Sequence, residues 1–173
     1  MTKCVINPSK ITLRGINSSD LKFTQSFKCG NGSMDRFLVD EAYIAHIERE
    51  ASTTVVFYEG KLIGYFTLKR SMIRIEGIEE NIHALDLARL AVAEQYQGKG
   101  FGTYIINYIK QIAYLTNERF IQTDAVFERW PWYKDRGFEP VIEEELDPKT
   151  NSDFVYMIMD LYDEQLVKEY FDA

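Results

Sequence analysis

The stretch from Leu87 to Gly102 limits what this chain can fold into more than any other. An apolar run, Leu87-Ala88-Arg89-Leu90-Ala91-Val92-Ala93, passes through Glu94-Gln95-Tyr96-Gln97 into glycines at 98, 100 and 102. A helical pattern begins at once, with Ile105, Ile109, Ile112 and Ala113 on one side and Asn107, Lys110 and Gln111 on the other. Strand, glycine loop and helix in direct succession point to an α/β fold. Glycine permits positive φ and has no Cβ to block close approach. Such a loop can wrap an anion, with free N–H groups and the positive end of the helix facing the charge. Two nucleotide motifs fail on spacing. The dinucleotide fingerprint needs glycine where Thr103 stands, and the P-loop needs Ser or Thr where Gly100 stands. A plain strand–helix turn accounts for one glycine but poorly for three, so the residues alone give an anion loop of unidentified ligand.

The remaining chain alternates between two periods. Ile11 to Ile16 reads as a short strand. Asn31-Gly32-Ser33 reads as a turn with Ser33 as N-cap, before Met34, Phe37, Leu38, Ala42 and Ala45 recur at helical spacing. Ser52–Tyr58 and Lys61–Ser71 flank Glu59-Gly60 as an antiparallel hairpin. Further strands are expected at 82–93, 119–127 and 154–161, with a short helix over Trp132–Arg136 ending at Gly137. The expected order is β-α-β-β-β-α-β-α-β, a mixed sheet with helices on both faces.

At 173 residues, 46% of them hydrophobic and 27% charged, the chain is expected to form one domain over 1–173 with a real core. No apolar run is long enough to span a bilayer, and residues 1–10 have no signal-peptide stretch, so a cytoplasmic protein without a membrane partner is expected. Cys4 and Cys29 have no zinc or disulfide spacing, so no metal is expected. A Cys–His pair with His46 or His83 stays open beside the simpler reading of a small half-buried thiol. The net charge of -7, from 20 basic and 27 acidic residues, argues against broad contact with nucleic acid and is compatible with a cationic amine. The acidic residues at Glu143, Glu144, Glu145 and Asp147, and again near the C-terminus, read as solvated faces.

Gln97-Gly98-Lys99-Gly100-Phe101-Gly102 resembles the Q/R-x-x-G-x-G/A signature of the GNAT acyl-CoA-dependent acetyltransferases, preceded by the strand Leu90-Ala91-Val92. Downstream, Tyr133-Lys134-Asp135-Arg136-Gly137-Phe138 resembles the family's Y-x-x-x-G-F segment. The likeness covers roughly residues 52 to 161, and two motifs in order are more specific than either alone. It implies a GNAT-like, mostly antiparallel sheet flanked by helices and splayed between the strand at 82–93 and the strand at 119–127. The cofactor-binding core would lie at about 82–140. Acetyl-CoA would be the co-substrate, an amine the acceptor, and the reaction a direct attack in a ternary complex.

The resemblance also implies roles. Backbone N–H groups of Gln97, Gly98, Lys99, Gly100, Phe101, Gly102 and Thr103 would hold the CoA pyrophosphate. Main-chain groups of Leu90, Ala91 and Val92 would meet the pantetheine arm, with Ala125 on the opposite wall. Lys99 either assists the phosphates or points to water. Tyr133 matches the tyrosine that protonates the departing sulfur, a task that suits a phenol. Asp86, at even spacing from Ala88 and Leu90, is the leading base, with His83 and Glu128 as weaker alternatives. Reliance on water or a structural Asp86 stays open beside it. Val126 and Arg129 stand where the family commonly has Asn and Ala. The following Trp130 and Trp132 are read as core rather than as a substrate mouth.

A narrower likeness joins Phe27 to Leu38 and Gly64-Tyr65-Phe66-Thr67-Leu68 to a GNAT subgroup that includes toxins acetylating aminoacyl-tRNA. Charged tRNA is the one nucleic-acid partner this leaves open, and the acidic composition weighs against it. A local basic patch, of Lys3, Lys10 and Arg14 or of Lys69, Arg70 and Arg74, would be needed. A silent acyl-CoA-binding regulatory protein is the other alternative. Homodimerisation through the tail from Val155 to Phe171 stays open beside a role for that tail in capping its own core.

Overall fold

Residues 63–68 are buried without a break, and so are 55–57, the pattern of strands covered on both faces. The computed structural model describes residues 6–77 and 79–173, so Lys3 and Cys4 lie outside the described residues. Seven strands form one sheet in the order β1-β2-β3-β4-β5-β7-β6, mostly antiparallel and flanked by helices. They are β1 Ile11–Gly15, β2 Ser52–Tyr58, β3 Lys61–Met72, β4 His83–Val92, β5 Phe120–Val126, β6 Glu139–Pro140 and β7 Phe154–Asp160. The helices are α1 Leu21–Thr24, α2 Gly32–Asp40, α3 Ala42–Ile47, α4 Phe101–Leu115, α5 Trp130–Lys134 and α6 Glu164–Asp172. The chain divides into two compact units, one comprising residues up to Arg70 with Asp86–Lys110, the other Ser71–Leu85 with Gln111–Ala173.

In the first unit, β2 pairs antiparallel with β1 and β3. Phe27, Phe37, Leu38, Ala42, Val55, Phe57, Tyr65 and Ala91 form a buried cluster beneath α2 and α3. Tyr65 brings a polar atom into it and satisfies that atom by donating its hydroxyl to the Met34 carbonyl at 2.7 Å. Behind α1, the Asp20 carboxylate is fully buried and takes two 2.7 Å hydrogen bonds from Arg14. That guanidinium and the Asn17 N–H hold the carboxyl below its usual range.

The helix start differs from the sequence reading. Asn31, not Ser33, is the cap of α2: its side-chain oxygen accepts from the N–H groups of Ser33 and Met34. Asparagine outranks nothing here by type alone; the cap is the residue with extended backbone, and Gly32 already starts the helix. The single helical run expected through Ala45 is also two helices, broken at Glu41, whose φ of -121° leaves the helical range.

β2 and β3 slip register between Val56 and Phe57, which face Gly64 and Leu62, so Ile63 is an extra residue in β3. The Ile63 carbonyl accepts from the Ala93 N–H at 2.8 Å, immediately past β4. Gly64 lies so close to β4 that a Cβ there would stand 2.8 Å from the Ala91 carbonyl oxygen.

In the second unit, β5 and β7 pair over seven residues, from Phe120↔Asp160 to Val126↔Phe154. Ile121, Ala125, Val155, Met157 and Met159 are buried, as is Phe138. The first part of the tail is thus core. β6 is too short to cover β7, and the Glu145 carboxylate completes the edge by accepting from the Tyr156 N–H at 2.7 Å. α6 was not anticipated from the sequence; Leu166, Tyr170 and Phe171 on it are exposed.

The Gly64 contact is with backbone, which has little freedom to move aside. Gly64→Ala is expected to lower unfolding free energy by about 1–3 kcal/mol, as overpacking does, measured by urea denaturation with unchanged secondary-structure content.

Candidate active site

The slip at Ile63 and the close approach at Gly64 place the end of β4, from which the chain turns outward. Glu94–Tyr96 forms one 3-10 turn, closed by Tyr96 N–H to Ala93 O at 2.8 Å and Gln97 N–H to Glu94 O at 3.2 Å. Gly98 then takes φ +70° and Gly100 φ +93°. Nothing lies within 4 Å of a Cβ built on Gly98. There the backbone angle, not crowding, demands glycine. α4 starts at Phe101, and its ladder opens with Tyr104 N–H to Gly100 O at 3.0 Å. By helix geometry the N–H groups of the first turn precede that ladder, at the positive end of the dipole. Backbone N–H groups at a helix N-terminus, behind an exposed glycine turn, suit a phosphate group.

The side chains around the loop have their own tasks. Phe101 is buried and meets Tyr58 and Tyr96 edge-on, with ring centroids 5.0 and 5.7 Å away, anchoring the first turn of α4. The Lys99 ammonium lies 5.6 Å above the Tyr96 ring. Gln97 turns inward: its Nε2 donates to both the Cys29 and Val92 carbonyls at 2.8 Å. Of the loop N–H groups expected to face an anion, that of Gln97 is spent in the 3-10 turn. The Val92 carbonyl thus accepts from a side chain of the loop. Gly98, Lys99 and Gly100 are exposed, Gly102 and Thr103 half-buried.

On β4, Leu90 and Val92 are half-buried and Ala91 is buried in the core cluster. Asp86 is half-buried and Ala88 exposed, while Leu85, Leu87 and Ala91 are buried, the alternation of an unbroken strand. The Arg89 guanidinium lies 4.1 Å over the Phe37 ring, a cation–π contact with α2. His83 and Glu128 are exposed. Cys29 and His46 form no pair: the His46 Nδ1 accepts from the Thr53 N–H at 3.1 Å, and burial pushes the Cys29 thiol up to about 11. Among the described residues, no group of three or more His, Cys, Asp or Glu is placed to hold a metal. None of the described helices is long and apolar enough to cross a membrane.

In the second unit, Tyr133 sits on α5, its ring edge-on to Trp132 at 5.0 Å and to the buried Phe138 at 5.5 Å. Ala125, the expected wall residue, is buried in β5. Loss of solvent pushes the Tyr133 phenol up to about 12, against the downward pull of Arg129. Neither Trp130 nor Trp132 is fully buried, in contrast to the core reading. Trp132 instead carries the Arg136 guanidinium 3.8 Å from its ring, and its carbonyl accepts from that side chain at 2.7 Å.

Comparison with known proteins gives the class. Residues 49–140 match the model of the acetyltransferase (GNAT) domain. The chain belongs to the GNAT family of acyl-CoA-dependent N-acetyltransferases. It is 27% identical over 147 residues to an uncharacterized N-acetyltransferase of Bacillus mycoides (strain KBAB4), across 81% of this chain and 90% of that one. Among solved structures, a tyrosine-to-phenylalanine mutant of the AtaT toxin, bound to the C-terminus of the antitoxin AtaR and acetyl-CoA, is similar with a TM-score of 0.70 at 18% identity. That match covers 95% of this chain and 99% of that one. AtaT complexed with acetyl-methionyl-tRNAfMet is similar with a TM-score of 0.67 at 19% identity, covering 93% and 99%. A further bacterial toxin reaches 0.72 at 18%, covering 94% and 96%. At such identities the likeness to these structures is one of fold.

The raised phenol has a measurable sign. An unfolded tyrosine ionises near pH 10 and the folded Tyr133 near 12. Its neutral form thus favours the fold below pH 10, an advantage lost as pH rises toward 12. Urea denaturation at pH 9 and pH 11 is expected to show a larger alkaline loss of stability for wild type than for Tyr133→Phe.

Proposed function

We propose that this protein transfers an acetyl group from acetyl-CoA to a primary amine by direct attack within a ternary complex. The observation that carries the reading is the positive-φ loop from Gly98 to Gly100 at the start of α4, an anion cradle made of backbone. The N–H groups of Gly98 through Thr103 would hold the pyrophosphate, and main-chain groups of β4 from Leu90 to Val92 would align the pantetheine arm.

The chemistry then needs three contributions from the chain. A backbone N–H near Val92 would polarise the thioester carbonyl. The neutral amine attacks the carbonyl carbon, the carbon–sulfur bond breaks, and an amide forms. The amine's surplus proton passes to Asp86, directly or through water, and the Tyr133 hydroxyl donates a proton to the departing sulfur to give free CoA thiol. A phenol held up to about 12 stays protonated across the physiological range and is always ready as a donor.

A second reading, charged tRNA as the acceptor, is supported by the fold neighbour solved with acetyl-methionyl-tRNAfMet. The net charge of -7 weighs against it. A cytoplasmic location is part of the same proposal.

Release of free CoA thiol from acetyl-CoA, measured across an amine panel that includes charged tRNA, tests both readings. Tyr133→Phe is expected to lower kcat at least tenfold, about 1.4 kcal/mol of barrier, while acetyl-CoA binding is retained. Binding without turnover on any acceptor would instead favour a regulatory acyl-CoA-binding protein.

A further inference from the structure

Gln97 is held in a way that its place beside a phosphate loop does not require. Both protons of its Nε2 are committed to backbone, one to the Cys29 carbonyl and one to the Val92 carbonyl, each at 2.8 Å. Glu94 reinforces the same junction. Its N–H donates to the Lys28 carbonyl at 3.0 Å. Its Oε1 stands 3.1 Å from where a Cβ of Gly30 would be, and Gly30 has φ +85°. Residues 28–30 thus sit against the turn after β4, far away in sequence.

Those residues lead straight into α2. The Cys29 N–H donates to Asp35 Oδ1 at 2.9 Å, and the Asn31 side chain accepts from Ser33 and Met34 N–H at 3.0 and 3.2 Å. One side chain therefore joins the root of the glycine loop to the start of α2. One peptide beyond Gln97, the backbone enters the two positive-φ glycines, where it has most freedom to move.

We propose that Gln97 is a positioning residue that couples occupancy of the glycine loop to ordering of the segment from Lys28 to Asp35; this rests on the reading of the loop as the acyl-CoA pyrophosphate site. An anion held by the loop N–H groups fixes the backbone on one side of Gln97. Its side chain is then held on two carbonyls, and the ordering of residues 28–35 comes at a reduced entropic cost. The coupling is reciprocal, so whatever engages residues 28–35 binds more tightly once the loop is filled. The contacts specify a donor: both partners are carbonyls, so arginine can replace glutamine, whereas methionine, of similar length, cannot.

Hydrogen exchange of the full chain with and without saturating acetyl-CoA tests this. In wild type, acetyl-CoA is expected to slow exchange at 98–103 and also at Cys29, Ser33, Met34 and Asp35, the latter about tenfold, the scale of one or two net hydrogen bonds. In Gln97→Met the slowing at 98–103 remains and that at 29–35 disappears; Gln97→Arg restores it. Persistence of the distal effect in Gln97→Met, or its absence in wild type while the loop is protected, overturns the coupling and leaves the acyl-CoA reading intact. Absence of slowing anywhere overturns that reading and the coupling with it.

Discussion

A backbone that passes twice through positive φ between Gly98 and Gly100 and then starts a helix is the constraint on which the rest depends. Side chains with a Cβ adopt that path only with strain, and the first N–H groups of a helix lie outside its own hydrogen-bond ladder. The surrounding structure holds the loop at its root. Ile63 accepts from Ala93, Gly64 admits the Ala91 carbonyl, and Phe101 is wedged between Tyr58 and Tyr96. Those contacts anchor the turn on both sides.

The chemistry of acyl transfer asks for less than many reactions: an aligned thioester, a neutral amine and a proton donor for sulfur. The glycine turn before α4 and the half-buried tyrosine on α5 both come from short local motifs.

Most strands and the main helix were legible in the sequence because each carries an unmixed period. Ser52–Tyr58 was placed to the residue, and β3 and β4 differ from the expectation by no more than one residue at either end. The cap at Asn31 and the break at Glu41 were not, since neighbouring Asn, Gly and Ser all suit a helix start and the apolar spacing runs on past the break. β6 spans two residues, too few to show a period. At the site, the glycines and Tyr133 were visible as motifs. The use of Gln97 was not: its partner Cys29 lies 68 residues away and contributes only a carbonyl, which every residue has. Tyr96 and Tyr58 escaped notice for a similar reason, being two of 11 tyrosines with nothing local to distinguish them.

The most direct measurement is a titration of the isotopically labelled protein with acetyl-CoA, followed by backbone amide shifts and by calorimetry. One site is predicted, with the largest shifts at the amides of residues 98–103 and smaller ones along Leu90–Val92. Absence of binding, or binding whose shifts spare the glycine loop, would contradict the account.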